Sequence, residues 1–162
     1  NDSPTPQNTD DRLARVLAKI NSLFVLGVFW MCLLAAAGLS PTGMMIGSGF
    51  MIVGIALRYG AISLLGRQFR TEIVPREGDL VTRGIYAKLR HPSETGLLLI
   101  CGGAGLLSAS WLEIVATSLV ILPLVLWRLR LEERQLNRAF GSKYTRYRQR
   151  VGGLLPHLTT AG

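Results

Sequence analysis

Charge is scarce in this 162-residue chain: only 17% of its residues are charged, against about 25% in an ordinary soluble domain. Between Ile20 and Leu57 there is no charged residue at all. Cysteine is scarcer still. Cys32 and Cys101 both lie in apolar runs, which excludes a disulfide framework or a cysteine-based zinc site and reads as two buried free thiols. Acidic residues number 10 against 18 Lys and Arg. What remains is 49% hydrophobic with a mean hydropathy of +0.33, a balance that points to a membrane protein of one domain.

The uncharged stretch is too long for one crossing, which takes about 20 residues. It breaks at Ser40-Pro41-Thr42-Gly43, a turn signal. Two helices follow, at Ile20–Leu39 and Met44–Leu65. A second apolar stretch, Gly96 to Trp127, holds only Glu113 and breaks at Ser108-Ala109-Ser110. It gives helices at Glu94–Leu107 and Trp111–Leu129, the former short for a full span and so either tilted inside a hairpin or buried at its start in protein instead of lipid. The expected fold is therefore all-α: a polytopic membrane bundle of about four transmembrane helices, with a C-terminal interfacial helix at Ser142–Val151. Tyr144, Tyr147 and Val151 share one face of that helix among basic residues, a pattern suited to an anionic lipid surface. Asn1–Asp11 is polar, contains two prolines and lacks the basic start of a secretory signal; it reads as a flexible tail before a single domain over residues 12–162.

The basic residues fall in three blocks: Arg12, Arg15 and Lys19; Arg67 to Arg90; and Arg128 to Arg150. The two turns on the opposite side carry none. This places both termini and the central loop in the cytoplasm, and accounts for a net charge of +8 without nucleic acid. Gly47, Gly49 and Gly54, and likewise Gly102, Gly103 and Gly105, lie within apolar segments. They read as close helix packing, not as a nucleotide loop.

Two polar clusters carry the candidate chemistry. Arg90, His91 and Glu94 sit where the central loop enters the third helix, with Pro92 suited to its first turn. Arg128 and Glu132 lie four apart on one face as the fourth helix leaves its apolar stretch. Paired carboxylates there are either salt-bridged to neighbouring arginines or form a site for a cationic ligand; ionisable groups at a membrane boundary are functional candidates. No group of residues suggests a metal site.

Leu80-Val81-Thr82-Arg83-Gly84-Ile85-Tyr86, Arg90-His91-Pro92-Ser93, and Glu132-Glu133 followed by Leu136, Phe140-Gly141, Tyr144, Tyr147, Val151 and Pro156 together resemble the isoprenylcysteine carboxyl methyltransferase family and related phospholipid methyltransferases. The resemblance runs from about Gly49 to Pro156. It implies a helical membrane bundle that binds S-adenosylmethionine on its cytoplasmic side. It further implies that Gly78, Asp79, Leu80, Val81, Tyr86, His91, Pro92, Ser93 and Glu94 line the cofactor site, with Thr71 as a more distant contact. Glu132 matches the cofactor-binding carboxylate, and Arg128 the position facing the substrate, so these two carry the catalytic expectation. Glu94 stands where the family usually has tyrosine; here it pairs either with the donor's positive groups or with Arg90. The acceptor is lipophilic and enters from the bilayer. A prenylated cysteine carboxylate, a phospholipid amine, a quinone-like lipid and a small hydrophobic metabolite all fit. The rival readings are an NADPH-dependent membrane reductase of the sterol reductase type, disfavoured by the short chain and the Glu-Glu pair, and a non-catalytic membrane module.

Overall fold

A computed structural model of the chain describes residues 41–65, 80–108 and 111–157, together with Val16, Lys19, Ser22 and Leu26. The expected helix at Ile20–Leu39 lies almost wholly outside the described residues, as do Cys32 and the amino-terminal tail. Among the described residues four α-helices have defined bounds: α1 (Pro41–Leu65), α2 (Pro92–Ser108), α3 (Trp111–Phe140) and α4 (Ser142–Arg150). A 3-10 turn, Gly84–Ala87, precedes α2. Among the described residues there is no strand, only an isolated parallel bridge between Leu89 and Gly152.

Two helices start at proline, because a proline in the first turn loses no hydrogen bond and arrives with a helical φ. Pro41 opens α1 three residues earlier than the turn signal suggested, and Pro92 opens α2. α1 has 25 residues, about 37 Å of helix. Among the described residues it is the one helix long and apolar enough to cross a membrane by length and composition; Pro92–Leu107 is a shorter apolar helix. The 30-residue α3 runs well past Leu129. Its polar extension, Arg128–Phe140, projects beyond the apolar part and carries the Glu132-Glu133 pair.

α1 and α2 are antiparallel and nearly touch. A methyl carbon built on Gly54 would lie 2.6 Å from the Gly96 carbonyl oxygen, and one on Gly47 would lie 2.7 Å from that of Gly103. The two pairs recur seven residues apart on each helix, a seam of small residues that lets the backbones meet. Gly105 packs on Ile114, whereas a methyl on Gly49 or Gly102 meets nothing within 4 Å among the described residues. Among the described residues the close packing is seen at Gly47, Gly54, Gly103 and Gly105, and Gly96 joins them.

Leu97 and Cys101 of α2 pack on Ile121, Val125 and Leu129 of α3 in a buried core. The Cys101 thiol is free and buried, as expected. On the outward faces, Met45 and Ile52 of α1 and Leu112 and Leu119 of α3 are exposed, which suits lipid contact. Gly141 takes a positive φ of 51°, a conformation cheap only for glycine, and so breaks the chain between α3 and α4. α4 lies where the interfacial helix was expected, but its tyrosine face docks on protein. Tyr144 is 1% exposed and Val151 is buried, while the Tyr147 hydroxyl donates to the Tyr86 carbonyl at 2.7 Å. Large rings gain more by filling the groove beside the 3-10 turn than by lying at an interface, which leaves only the basic face of α4 outward.

Candidate functional site

The start of α2 and the polar extension of α3 meet at one end of the bundle. His91, just ahead of Pro92, is 4% exposed and sits between two consecutive carboxylates of α3. Its Nδ1 lies 3.8 Å from Glu132 Oε2, and its Nε2 lies 3.3 Å from Glu133 Oε1. Neighbouring residues on a helix point about 100° apart, so both glutamates reach one imidazole only because the ring is inserted between them. Pro92 is fully buried. Ser93 is buried and accepts from Arg58 Nη1 through both its carbonyl and its hydroxyl, each at 3.3 Å.

Glu94 is 4% exposed, and its Oε1 lies 3.1 Å from Nη1 of Arg128. Its other oxygen is buried without a hydrogen-bond partner among the described residues. The expected alternative pairing of Glu94 with Arg90 is thus corrected. The Arg90 guanidinium is turned the other way, where Nε donates to the Val151 carbonyl at 3.0 Å and Nη1 contacts Glu133.

These contacts shape the charges. The hydrogen bond from His91, helped by Arg90, holds the Glu133 carboxyl below the usual carboxylate range against the opposing effect of burial. Burial pushes the Glu132 carboxyl up; His91 and Arg128 pull it down, and Glu94 and Glu133 push it further up. The Tyr86 phenol is raised by burial first and then by the nearby Glu132 and Glu94 carboxylates. Tyr86, His91, Glu94, Arg128 and Glu132 thus belong to one electrostatic neighbourhood with a net acidic character.

A C-terminal segment closes one side. Arg90 N–H donates to the Gly152 carbonyl at 2.8 Å and His91 N–H to that of Gly153 at 3.3 Å, and the Thr95 hydroxyl donates to Leu154 O at 2.9 Å. Beside it lies an open cleft of about 250 Å³ lined by His91, Leu126, Leu129, Arg130, Glu133 and Leu154.

Of the residues singled out in the sequence, His91, Pro92, Ser93, Glu94, Arg128 and Glu132 gather here, with Tyr86 alongside. Leu80 and Val81 stand half-buried just before the 3-10 turn. Thr71, Gly78 and Asp79 lie outside the described residues. The sequence reading does not single out Arg58 as a participant; it names Arg90 and the Glu132-Glu133 pair, but not the clasp that Arg90 forms between Glu133 and the C-terminal segment. Arg58 had a signal, because it is the only charge between Ile20 and Leu65 and a lone ionisable residue in an apolar span asks for a partner.

A family model described as phospholipid methyltransferase matches residues 42–143, a stretch containing both halves of the cluster. The chain belongs to the phospholipid methyltransferase family. Within that family its relatives are the isoprenylcysteine methyltransferases that the motifs resemble. Protein-S-isoprenylcysteine O-methyltransferase B of Arabidopsis thaliana is 34% identical over 68% of this chain and 57% of its own length. The Schizosaccharomyces pombe enzyme is 32% identical over 67% of this chain and 47% of its own, and the Homo sapiens enzyme 30% identical over 81% and 46%. The solved structure of a eukaryotic intramembrane Ras methyltransferase, isoprenylcysteine carboxyl methyltransferase, is 28% identical and matches with a TM-score of 0.65, covering 96% of this chain and 54% of that one. The fold is accordingly that of a polytopic membrane helical bundle. This phospholipid methyltransferase family member spans about half the length of these relatives.

Proposed function

We propose that this chain transfers a methyl group from S-adenosylmethionine to a lipophilic acceptor, the carboxylate of a prenylated cysteine, at the cytoplasmic face of a membrane. The observation that carries this reading is the convergence of His91 and Glu94 from the start of α2 with Arg128 and Glu132 from α3. The donor carries positive charge, and the site answers it with two carboxylates, one of which has a buried oxygen lacking a hydrogen-bond partner among the described residues. The residues present therefore fit this donor.

When bound, S-adenosylmethionine supplies a methyl group made electrophilic by a sulfonium. The protein's share is placement and charge. Glu132 and Glu94 offset the donor's cationic groups, and His91 braces Glu132. Tyr86, Pro92 and Ser93 shape the wall behind them, with Leu80 and Val81 on the donor side; the family resemblance adds Gly78, Asp79 and Thr71, which lie outside the described residues. Arg128 holds the acceptor's anion, since a planar guanidinium suits a carboxylate. A carboxylate is already ionised near pH 7, so the nucleophile needs no general base. Holding donor and acceptor together at fixed geometry supplies much of the rate, and the C-terminal segment over His91 keeps water from that side. The names of the relatives favour the prenylcysteine carboxylate over the other lipophilic acceptors, and the three basic blocks favour the cytoplasmic placement of both termini and the site.

The test is incubation of the purified chain in proteoliposomes with methyl-labelled S-adenosylmethionine and N-acetyl-S-farnesylcysteine. The reading expects label in a methyl ester released by mild base. Label found only in base-stable phospholipid amine would overturn the acceptor, and absence of label with the prenylcysteine and with a membrane lipid extract would overturn the reaction.

A further inference from the structure

Glu94 faces two ways. Through Oε1 it holds Arg128 at 3.1 Å, and through the buried Oε2, which has no hydrogen-bond partner among the described residues, it offers an acceptor to a second group. Its side chain is 6% exposed, against 24% for that of Arg128, so water screens the carboxylate poorly. The nearby Glu132 adds a second negative charge; burial first, and then Glu94 among the charges around it, pushes the Glu132 carboxyl up.

We propose that Glu94 is shared between the two halves of the site and couples them, so that a cationic methyl donor and an anionic acceptor strengthen each other's binding through this one carboxylate. The inference rests on the function proposed above and adds to it a regulatory property of the same site. Its sign follows from the charges. Without donor, Glu94 neutralises Arg128, and an incoming acceptor carboxylate meets a compensated guanidinium with Glu132 close by. With a cation on Oε2, Glu94 is divided between two positive partners, the Arg128 charge is less compensated, and the acceptor anion gains. Coupling between two ligands that share one residue typically changes each affinity about tenfold. Linkage requires the acceptor to tighten the donor by the same factor. Methyl transfer converts the sulfonium to a neutral thioether, so the coupling weakens at the moment product must leave.

The experiment is calorimetric titration of N-acetyl-S-farnesylcysteine into the purified full chain in detergent. It is run alone, with sinefungin (an unreactive donor analogue with an amine cation near the sulfonium position) and with S-adenosylhomocysteine, the neutral thioether. In the wild type, sinefungin is expected to tighten the prenylcysteine about tenfold, the thioether to do far less, and the methyl ester of the prenylcysteine to gain nothing. Glu94→Gln is expected to bind the prenylcysteine more tightly than wild type in the absence of donor, and to retain a gain of less than about threefold with sinefungin. Glu94→Asp, which keeps the charge, should restore part of the gain. Equal prenylcysteine affinity with and without sinefungin in a wild type that binds sinefungin would overturn the inference and leave the methyltransferase reading standing. So would a full gain in Glu94→Gln, which would assign the coupling to the general field of the site. Failure of the wild type to bind either sinefungin or S-adenosylmethionine would instead overturn the reading itself, and the inference with it.

Discussion

Replacing Gly54 with alanine tests whether the glycine seam, and not apolar contact alone, fixes the position of the site. The new methyl carbon would fall 2.6 Å from the Gly96 carbonyl oxygen, 2.9 Å from Ile100 Cγ1 and 3.0 Å from Ile100 N. A carbon tolerates a carbonyl oxygen at about 3.3 Å, so α1 and α2 must part by about 0.7 Å, and the obstructing atoms are mostly backbone that cannot swing away. Overpacking of this kind costs about 1–3 kcal/mol, offset by the helix preference of alanine over glycine, worth up to about 1 kcal/mol. The net loss is about 1–2 kcal/mol, or a fall in melting temperature of about 4 °C for a chain of this size. Thermal unfolding in detergent, followed by tryptophan fluorescence, reads it directly. Gly49→Ala and Gly102→Ala are the internal controls, since neither methyl meets anything within 4 Å among the described residues, and both should melt at or above the wild-type temperature. Gly96→Ala produces the reciprocal clash with Gly54 O and also presses on Arg58, the residue that holds Ser93. It should therefore weaken donor binding as well as stability. The double variant Gly54→Ala/Gly96→Ala should cost less than the sum of the single changes, because one separation of the helices relieves both. If Gly54→Ala melts together with Gly49→Ala, the seam is not what sets the helix spacing.

Other expectations address the clasp around His91. Arg90→Met takes one partner from the Glu133 carboxylate, which keeps His91 and Arg148, and frees the Val151 carbonyl; loss of a hydrogen bond to a charged group costs about 1.5–3 kcal/mol, and limited proteolysis should reach the segment after Arg150 sooner than in wild type. Glu133 has a folded pKa below its unfolded one, so its contribution is fully present above the ordinary carboxylate value of about 4.3 and is lost as pH falls through the lower, folded value. Melting curves taken downward from pH 5 should show wild type and Glu133→Gln converging, and a constant gap between them would refute the assignment. Tyr147→Phe removes the 2.7 Å bond to Tyr86 O and should cost about 1 kcal/mol in unfolding measurements, with the ring packing retained. Burial first, and Tyr144 next, pushes the Tyr147 phenol up to about 12, so spectroscopic titration should leave it protonated after exposed tyrosines have ionised.

The legible parts of this protein are those set by local rules. Proline at the mouths of α1 and α2 and the apolar length of α1 can be read along the chain. Arg128 and Glu132 could be placed on one helix face by counting to four. Pairings across the bundle could not be read this way. Nothing in the sequence chooses between Arg90 and Arg128 as the partner of Glu94; the choice is made by the C-terminal segment, whose Val151 carbonyl and Gly152 backbone hold Arg90 away. The sequence leaves open whether the paired carboxylates bridge to arginines or face a cationic ligand; His91, inserted between them, touches both, and Glu133 also meets Arg90. Tyr144 and Tyr147 form an apolar face among arginines, and that pattern fits a lipid surface as well as a protein groove. Only the 3-10 turn at Gly84–Ala87, which supplies the acceptor carbonyl of Tyr86, decides between them.

The claim on which all of this depends is that Glu132 and His91 together hold a cationic methyl donor. Isothermal titration of S-adenosylmethionine into the wild type, Glu132→Gln and His91→Ala, with melting temperatures recorded alongside, tests it most directly. The account predicts binding by the wild type and a loss of about tenfold or more in each variant, as expected when a charged hydrogen-bonding group worth about 1.5–3 kcal/mol is removed, with the folded state retained. Equal affinity across all three proteins, or no binding by a folded wild type, would contradict it.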